Sequence, residues 1–216
     1  GIFKDNGFKT DGTTVFFRKS QINIALSTTV SDFYIHARNP DNTIHLGGDD
    51  QVFLPTGGAI NVVSMDGSSM PATMADFETG CKLVQTSDQL GMGGYIMVQP
   101  TEIDPETAYL DMMLTYMTLC DKPIFGASGS GQMAKDTIEM AGMLFGGKEK
   151  LIDMPVMAVV VNAMSPLQYS KEQTEVIVEM ARYNQPVVLT NMILAGATGP
   201  VSIPSLLALA NAEVLA

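Results

Sequence analysis

Positive charge is scarce in this chain: 12 lysines and arginines stand against 23 aspartates and glutamates, leaving a net charge of −11. Phosphate backbones and anionic lipid surfaces are gripped by basic footprints, so this balance argues against nucleic acid or a membrane as a main partner. No run approaches the roughly 20 apolar residues of a membrane span, and the N-terminus lacks the charged and apolar regions of a signal peptide. A cytoplasmic location is the expectation. Histidine occurs only at His36 and His45, and cysteine only at Cys81 and Cys120. No His, Cys, Asp and Glu set has metal-ligand spacing, and neither a Gly-x-Ser-x-Gly elbow nor a Ser/His/Asp grouping is present. The cysteines, without C-x-x-C spacing, read as reduced core thiols, the histidines as structural, and Asp49-Asp50 as a solvated turn.

What is present is an apolar repeat. Three runs, each led by a proline, follow one another 32 and 31 residues apart: Pro123-Ile-Phe-Gly-Ala, Pro155-Val-Met-Ala-Val-Val-Val-Asn and Pro186-Val-Val-Leu-Thr-Asn. A fourth, Tyr95-Ile-Met-Val-Gln-Pro100, lies one period earlier. The spacing fits βα units, in which a buried parallel strand is followed by a helix that crosses back over the sheet. Proline at a strand's first residue removes no ladder hydrogen bond. Helices are expected from Thr73-x-x-Asp76, from Asp104-Pro105, from Ser130 to Gly146-Gly147, from Ser170-x-x-Gln173 and from Ser202-Ile203-Pro204, each by its cap. Most of the 16 methionines, among them Met112, Met113, Met117, Met140 and Met143, recur at helical spacing and read as core.

Residues 1–66 differ: they are rich in Thr, Asn, Asp and Gly, with short alternating runs and an Asn39-Pro40-Asp41-Asn42 turn. This segment reads as antiparallel β-hairpins with a short helix from Ser20 to Leu26. The expected fold is α/β: a partial (β/α)8 barrel of four to five βα units over 67–216, preceded by a β-rich extension. The start at Gly1 and the uncapped last helix read as the cut ends of a longer protein, and such a piece is expected to need its other half or a partner copy.

In parallel α/β folds function gathers at the carboxyl ends of the strands. Those positions carry neutral amides, Gln99, Asn162 and Asn191, which orient a substrate but do not shuttle protons. Two small-residue loops stand just ahead of helices, Gly126-Ala127-Ser128-Gly129 and Gly196-Ala197-Thr198-Gly199. Each either receives an anion on backbone N–H groups or simply makes a tight connection.

The run His36-Ala37-Arg38-Asn39-Pro40, His45-Leu46-Gly47-Gly48, Pro55-Thr56-Gly57-Gly58, Thr73-Met74-Ala75-Asp76-Phe77 and Ala195-Gly196-Ala197-Thr198-Gly199-Pro200, in that order along the chain, resembles the trimethylamine:corrinoid methyltransferase family. The resemblance implies a (β/α)8 barrel of about twice this length. It implies transfer of a methyl group from a methylated amine to the corrinoid of a separate small protein, with no cofactor bound permanently. Some members use pyrrolysine for trimethylamine; others lack it and demethylate quaternary amines such as glycine betaine. The chain is read as a member of the second, glycine betaine-type group. No pyrrolysine occurs here, and its position is expected beyond Ala216. A quaternary ammonium is already a cationic methyl donor, so a site need only hold it in line and exclude water. Substrate contacts are expected from Gln99, Asn162 and Asn191, with Ser128 and Ser165 beside them, from the aromatic faces of Tyr95 and Phe125, and from the loop backbone at Gly126, Gly129, Gly196 and Gly199. No catalytic residue and no metal ligand is assigned. A homo-oligomer working with a cognate corrinoid protein is expected. The alternatives are a non-catalytic barrel that binds a quaternary amine or anion, or serves assembly, and a phosphate-binding barrel using Gly126 to Gly129.

Overall fold

The structure is a computed structural model that describes residues 1–95 and 97–216. In chain order its elements are α1 (Ile2–Asp5), β1 (Lys9–Asp11), β2 (Thr14–Phe16), α2 (Lys19–Ser27), β3 (Asp32–Ile35), β4 (Ile44–Gly47), β5 (Asn61–Val63), β6 (Ser69–Pro71) and α3 (Met74–Thr86). They continue with β7 (Gly93–Gly94), α4 (Ala108–Leu119), β8 (Ile124–Phe125), α5 (Gly131–Phe145), β9 (Met157–Ala163), α6 (Lys171–Arg182), β10 (Val187–Asn191) and α7 (Ile203–Leu215). The architecture is mixed α/β. A four-stranded sheet has the order β10-β9-β8-β7, with β7, β8 and β9 parallel, and β1–β2, β3–β4 and β5–β6 are antiparallel pairs.

The leading prolines stand just outside the ladder, and two still serve it through their carbonyls. Pro123 accepts from the Gly93 N–H at 3.5 Å and Pro186 from the Val159 N–H at 3.3 Å, while Pro155 accepts from the His36 N–H of the neighbouring ribbon at 2.7 Å. The earliest run behaves differently. Its paired strand is Gly93–Gly94, Tyr95 donates its N–H to Phe125 O at 2.9 Å, and isolated parallel bridges Phe53↔Leu90 and Ala59↔Val98 lie beside it, while Ile96 of that run lies outside the described residues. Gly93 lies where a Cβ would meet Tyr116 and Val84 at 3.1 Å, and Gly94, at φ +144, has the Phe125 carbonyl against its α-carbon. The strand is glycine because the backbone approaches its neighbours too closely for side chains, which is why an apolar pattern does not reveal it.

The chain forms two compact units, residues 32–162 with 169–190, and residues 1–31 with 163–168 and 191–216. In the larger unit, alternation along β9 sends Met157, Val159 and Val161 to one face of the sheet, where they pack with Ile124 against Phe77, Val84, Met112, Met113, Tyr116, Ile138, Val176 and Met180 from the helices. Each such side chain contributes about 2 kcal/mol by leaving water. On the opposite face Ala158, Phe125 and Met92 meet Phe33, Ile35, Ile44 and Leu46 of the β3–β4 ribbon. The ribbon is anchored where His36 bonds Pro155 and the Arg38 N–H bonds the Asp121 carbonyl at 3.0 Å, at the amino ends of β9 and β8.

The caps follow the sequence closely. Thr73 and Asp76 form a reciprocal capping box, and the hydroxyls of Ser130 and Ser170 accept the N–H groups of Met133 and Gln173. Gly146, at φ 83, closes α5 in the left-handed conformation. At Asp104 the carboxylate instead accepts the Glu106 N–H at 2.9 Å in a local turn, and α4 starts only at Ala108. Met112, Met113 and Met117 are core residues, whereas Met143 is 81% exposed.

The smaller unit opens with α1, the β1–β2 pair and α2. Phe3, Phe8 and Phe17 there make a trio of edge-on ring contacts, with centroids 5.3 to 5.6 Å apart.

Candidate functional site

The two ends of the parallel sheet are built from different chemistry. At the amino ends Lys122, only 8% exposed, donates to the carbonyls of Val84, Ser87 and Leu90 at 2.9, 2.5 and 2.7 Å. All three ammonium protons are placed, and the charge lies at the carboxyl end of α3, where the helix dipole favours a cation. Arg38 does the same for α4, donating to Met117 O at 2.8 Å and Cys120 O at 3.4 Å. The Asp121 carboxylate accepts from the amides of Asn42 and Gln85 at 2.6 and 3.1 Å. A cavity of about 270 Å³ opens here, lined by Asp41, Asn42, Gln85, Asp88 and Lys122 among others. These groups hold helix ends and strand entries together. A second hollow of about 390 Å³ lies beside the end of α5, and neither is at the carboxyl ends of the strands.

Toward those carboxyl ends, the face opposite the helices changes character in rows. Phe125 pairs with Ala158 and lies under the ribbon. Val160 follows on β9, and Val188, 46% exposed, on β10, where Val187 and Leu189 turn to the helix side. The next residues on this face, one pleat further along, are Asn162 and Thr190. The Thr190 hydroxyl donates to Asn162 Oδ1, and Gln173 Oε1 accepts the Asn162 backbone N–H at 3.0 Å. Asn162 is solvent-exposed. Thr190 gives no motif signal; only its pairing with Asn162 across two strands draws it out.

The residues expected at the site divide by whether their polar groups are already used. Among the described residues, the side chains of Gln99 and Ser128 and the Nδ2 of Asn162 meet no hydrogen-bond partner. Asn191 shares the register of Val187 and Leu189 and donates its amide to Ala210 O at 2.9 Å. Tyr95 packs at the margin of the helix-side core, its phenol pKa raised by burial. Gly126 faces Thr137 and Val159, and Gly129 has Met133 against its open side.

In the smaller unit Ser165 donates to the fully buried Glu213 at 2.9 Å, and the other carboxylate oxygen takes the Leu167 N–H at 2.9 Å. The Gly196-to-Gly199 loop spends its donors internally: Ala197, Thr198 and Gly199 all donate to Leu194 O, and Gly196 donates to Gly199 O. In this conformation those four N–H groups are not offered to an anion. Gly199 is small because Ile193 lies against its α-carbon.

Away from these faces, two titratable groups are tied into the surrounding structure. His45 lies between Asp32, whose Oδ1 is 2.8 Å from Nε2, and Asp50, which contacts Nδ1. Both carboxylates, Asp32 first, raise its pKa. Asp50 is therefore an ion-pair partner within the ribbon rather than a purely solvated turn residue. Cys81 is buried, and desolvation, with the nearby Cys120, pushes its thiol up to about 12, so it stays protonated and unreactive. Among the described residues no group of His, Cys, Asp and Glu is placed to hold a metal ion, and no helix is long and apolar enough to cross a membrane.

The family model for trimethylamine methyltransferase matches residues 1–216, the whole length of the chain. The chain belongs to the trimethylamine methyltransferase family. It is 33% identical to a glycine betaine methyltransferase of Desulfitobacterium hafniense (strain Y51) over 100% of the chain and 45% of that protein. It is 27% identical to the trimethylamine methyltransferase MttB of Desulfitobacterium hafniense (strain DSM 10664 / DCB-2), over 99% and 44%. To the L-carnitine:corrinoid methyltransferase of Eubacterium limosum it is 26% identical, over 94% and 43%. The chain thus spans under half the length of the curated relatives it matches. The segment around His36 to Pro40 lies at the amino ends of the sheet, where its backbone bonds Pro155 and Asp121.

Proposed function

We propose that this chain is the first half of a (β/α)8 barrel, residues 67–216, with residues 1–66 as its β-rich extension. In this reading the intact protein is a cytoplasmic enzyme that moves a methyl group from a methylated or quaternary amine to the corrinoid of a separate protein. The observation that carries the reading is the polar row of Asn162 and Thr190 on an otherwise apolar face, at the strand ends where such folds do their chemistry. The family match supports the reaction class.

The row suits methyl transfer from a quaternary ammonium. Such a donor needs no proton removed, because its leaving amine is neutral, and the row carries an amide and a hydroxyl rather than a general base. The task of this half is to bind and orient. The apolar Val160 and Val188 exclude water beneath the substrate, and the amides fix its direction. The corrinoid supplies the methyl acceptor.

The test is a methyl-transfer assay with the intact protein, cob(I)alamin and, in turn, glycine betaine, L-carnitine and trimethylamine. Methylcobalamin formation with one of them is the expected result. Its absence with all three, in a folded protein, overturns the proposal. Binding without transfer would favour the alternative of a non-catalytic binding protein.

A further inference from the structure

We infer that Thr190 fixes the polarity of the Asn162 side chain, so that the amide presents its two N–H groups to the carboxylate of a betaine-type substrate and Thr190 acts as a positioning residue for it. The inference rests on the methyl-transfer reading and names a positioning residue for that same face. A primary amide offers one acceptor oxygen and two donor hydrogens on opposite sides. The Thr190 hydroxyl occupies the acceptor side by donating to Oδ1. The backbone of Asn162 is fixed by Gln173, itself held at the start of α6, where its own N–H bonds Ser170 Oγ at 3.1 Å. Thr190 is β-branched and sits on a strand, so its χ1 is stiff. The Nδ2 group meets no acceptor among the described residues and stands at an exposed position.

A ligand on this face therefore meets a donor pair above the apolar surface of Val160 and Val188. A bare alkylammonium has nothing to accept those hydrogens, and its positive charge faces the positive end of the amide dipole. A carboxylate accepts them with charge assistance, which makes the bond roughly twice as strong as a neutral one. The trimethylammonium end of such a zwitterion then lies over the apolar row. Thr190 acts only through Asn162 and is a positioning residue.

The experiment titrates glycine betaine and tetramethylammonium into the intact protein by calorimetry, for the wild type and for Thr190→Val, Thr190→Ser and Asn162→Asp. Loss of a charge-assisted hydrogen bond predicts a roughly tenfold weaker glycine betaine affinity for Thr190→Val, with Thr190→Ser restoring it. Asn162→Asp sets carboxylate against carboxylate and loses more, roughly a hundredfold. In both weakened variants the preference for glycine betaine over tetramethylammonium shrinks, and in turnover Thr190→Val raises KM with kcat held. Unchanged preference in Thr190→Val and Asn162→Asp overturns the inference; if Asn162→Asp does not fold, Asn162→Ala replaces it. Glycine betaine binding with these variant effects but no methyl transfer would overturn the proposed reaction and leave this inference standing. Methyl transfer with the preference unaltered would do the reverse.

Discussion

At the amino ends of β7 to β9, Lys122 places three protons on three carbonyls, Arg38 caps α4, and Asp121 takes two amides. Toward the carboxyl ends, the side chains of Gln99 and Ser128 and the Nδ2 of Asn162 have no partner among the described residues. A buried polar group left unpaired costs free energy, so the covered end must satisfy its polar atoms within the chain, and having done so has little to offer a ligand. The open end leaves its polar atoms to water, which a substrate can displace. The difference separates, within one sheet, the end whose polar groups are spent from the end whose polar groups stay open.

Four measurements on the intact protein would break or sharpen that contrast. The largest stability effect is expected from Lys122→Met, which strands three carbonyls and should cost about 3 kcal/mol in urea unfolding. A curve that overlays the wild type would remove Lys122 from the scaffold. Phe125→Ala opens space beneath the ribbon and should cost about 2 kcal/mol, because its ring belongs to the cluster of Ile35, Met92 and Ala158. An unaltered midpoint would instead free Phe125 to act as an aromatic face for the substrate. Asn162→Ala removes an exposed side chain, so its stability should change by under about 0.5 kcal/mol while methyl transfer falls more than roughly tenfold. A large loss of stability there would make the carboxyl row structural too.

The smallest effect concerns pH. His45 has its pKa raised from 6.5 by Asp32 and Asp50, so the folded ribbon binds the proton more tightly than the unfolded chain. That contribution is fully present below 6.5 and is lost as pH rises through the raised value. The melting temperature should therefore fall over this window in the wild type and fall less in His45→Gln.

Much of the scaffold was legible because it depends on local chemistry. Thr73, Ser130 and Ser170 cap the helices they precede in sequence, and Gly146 ends α5 where a left-handed residue is needed. The prolines at 123, 155 and 186 mark the entries to β8, β9 and β10. The strand at Gly93–Gly94 was not legible, because its glycines are set by Tyr116, Val84 and Phe125, partners distant in sequence. The same holds for Met143, whose helical spacing matches its neighbours although it faces solvent.

Among the site residues, amide identity and strand-end position brought Asn162 and Asn191 forward equally. Register parts them: Asn162 shares the face of Ala158 and Val160, while Asn191 shares that of Val187 and Leu189 and is spent on Ala210. The two small-residue loops also looked alike in sequence, yet the one at Gly196 to Gly199 uses its own N–H groups.

The sequence by itself determined the α/β repeat, the caps and the family, since periodicity, capping residues and ordered motifs are properties of residues near one another or in series along the chain. Only the tertiary structure decided which polar groups are consumed and which remain. A hydrogen bond such as that of Thr190 to Asn162, or of Lys122 to Val84, joins residues 28 and 38 positions apart. Whether an amide binds a substrate or a neighbouring carbonyl depends on what the fold places within about 3 Å of it.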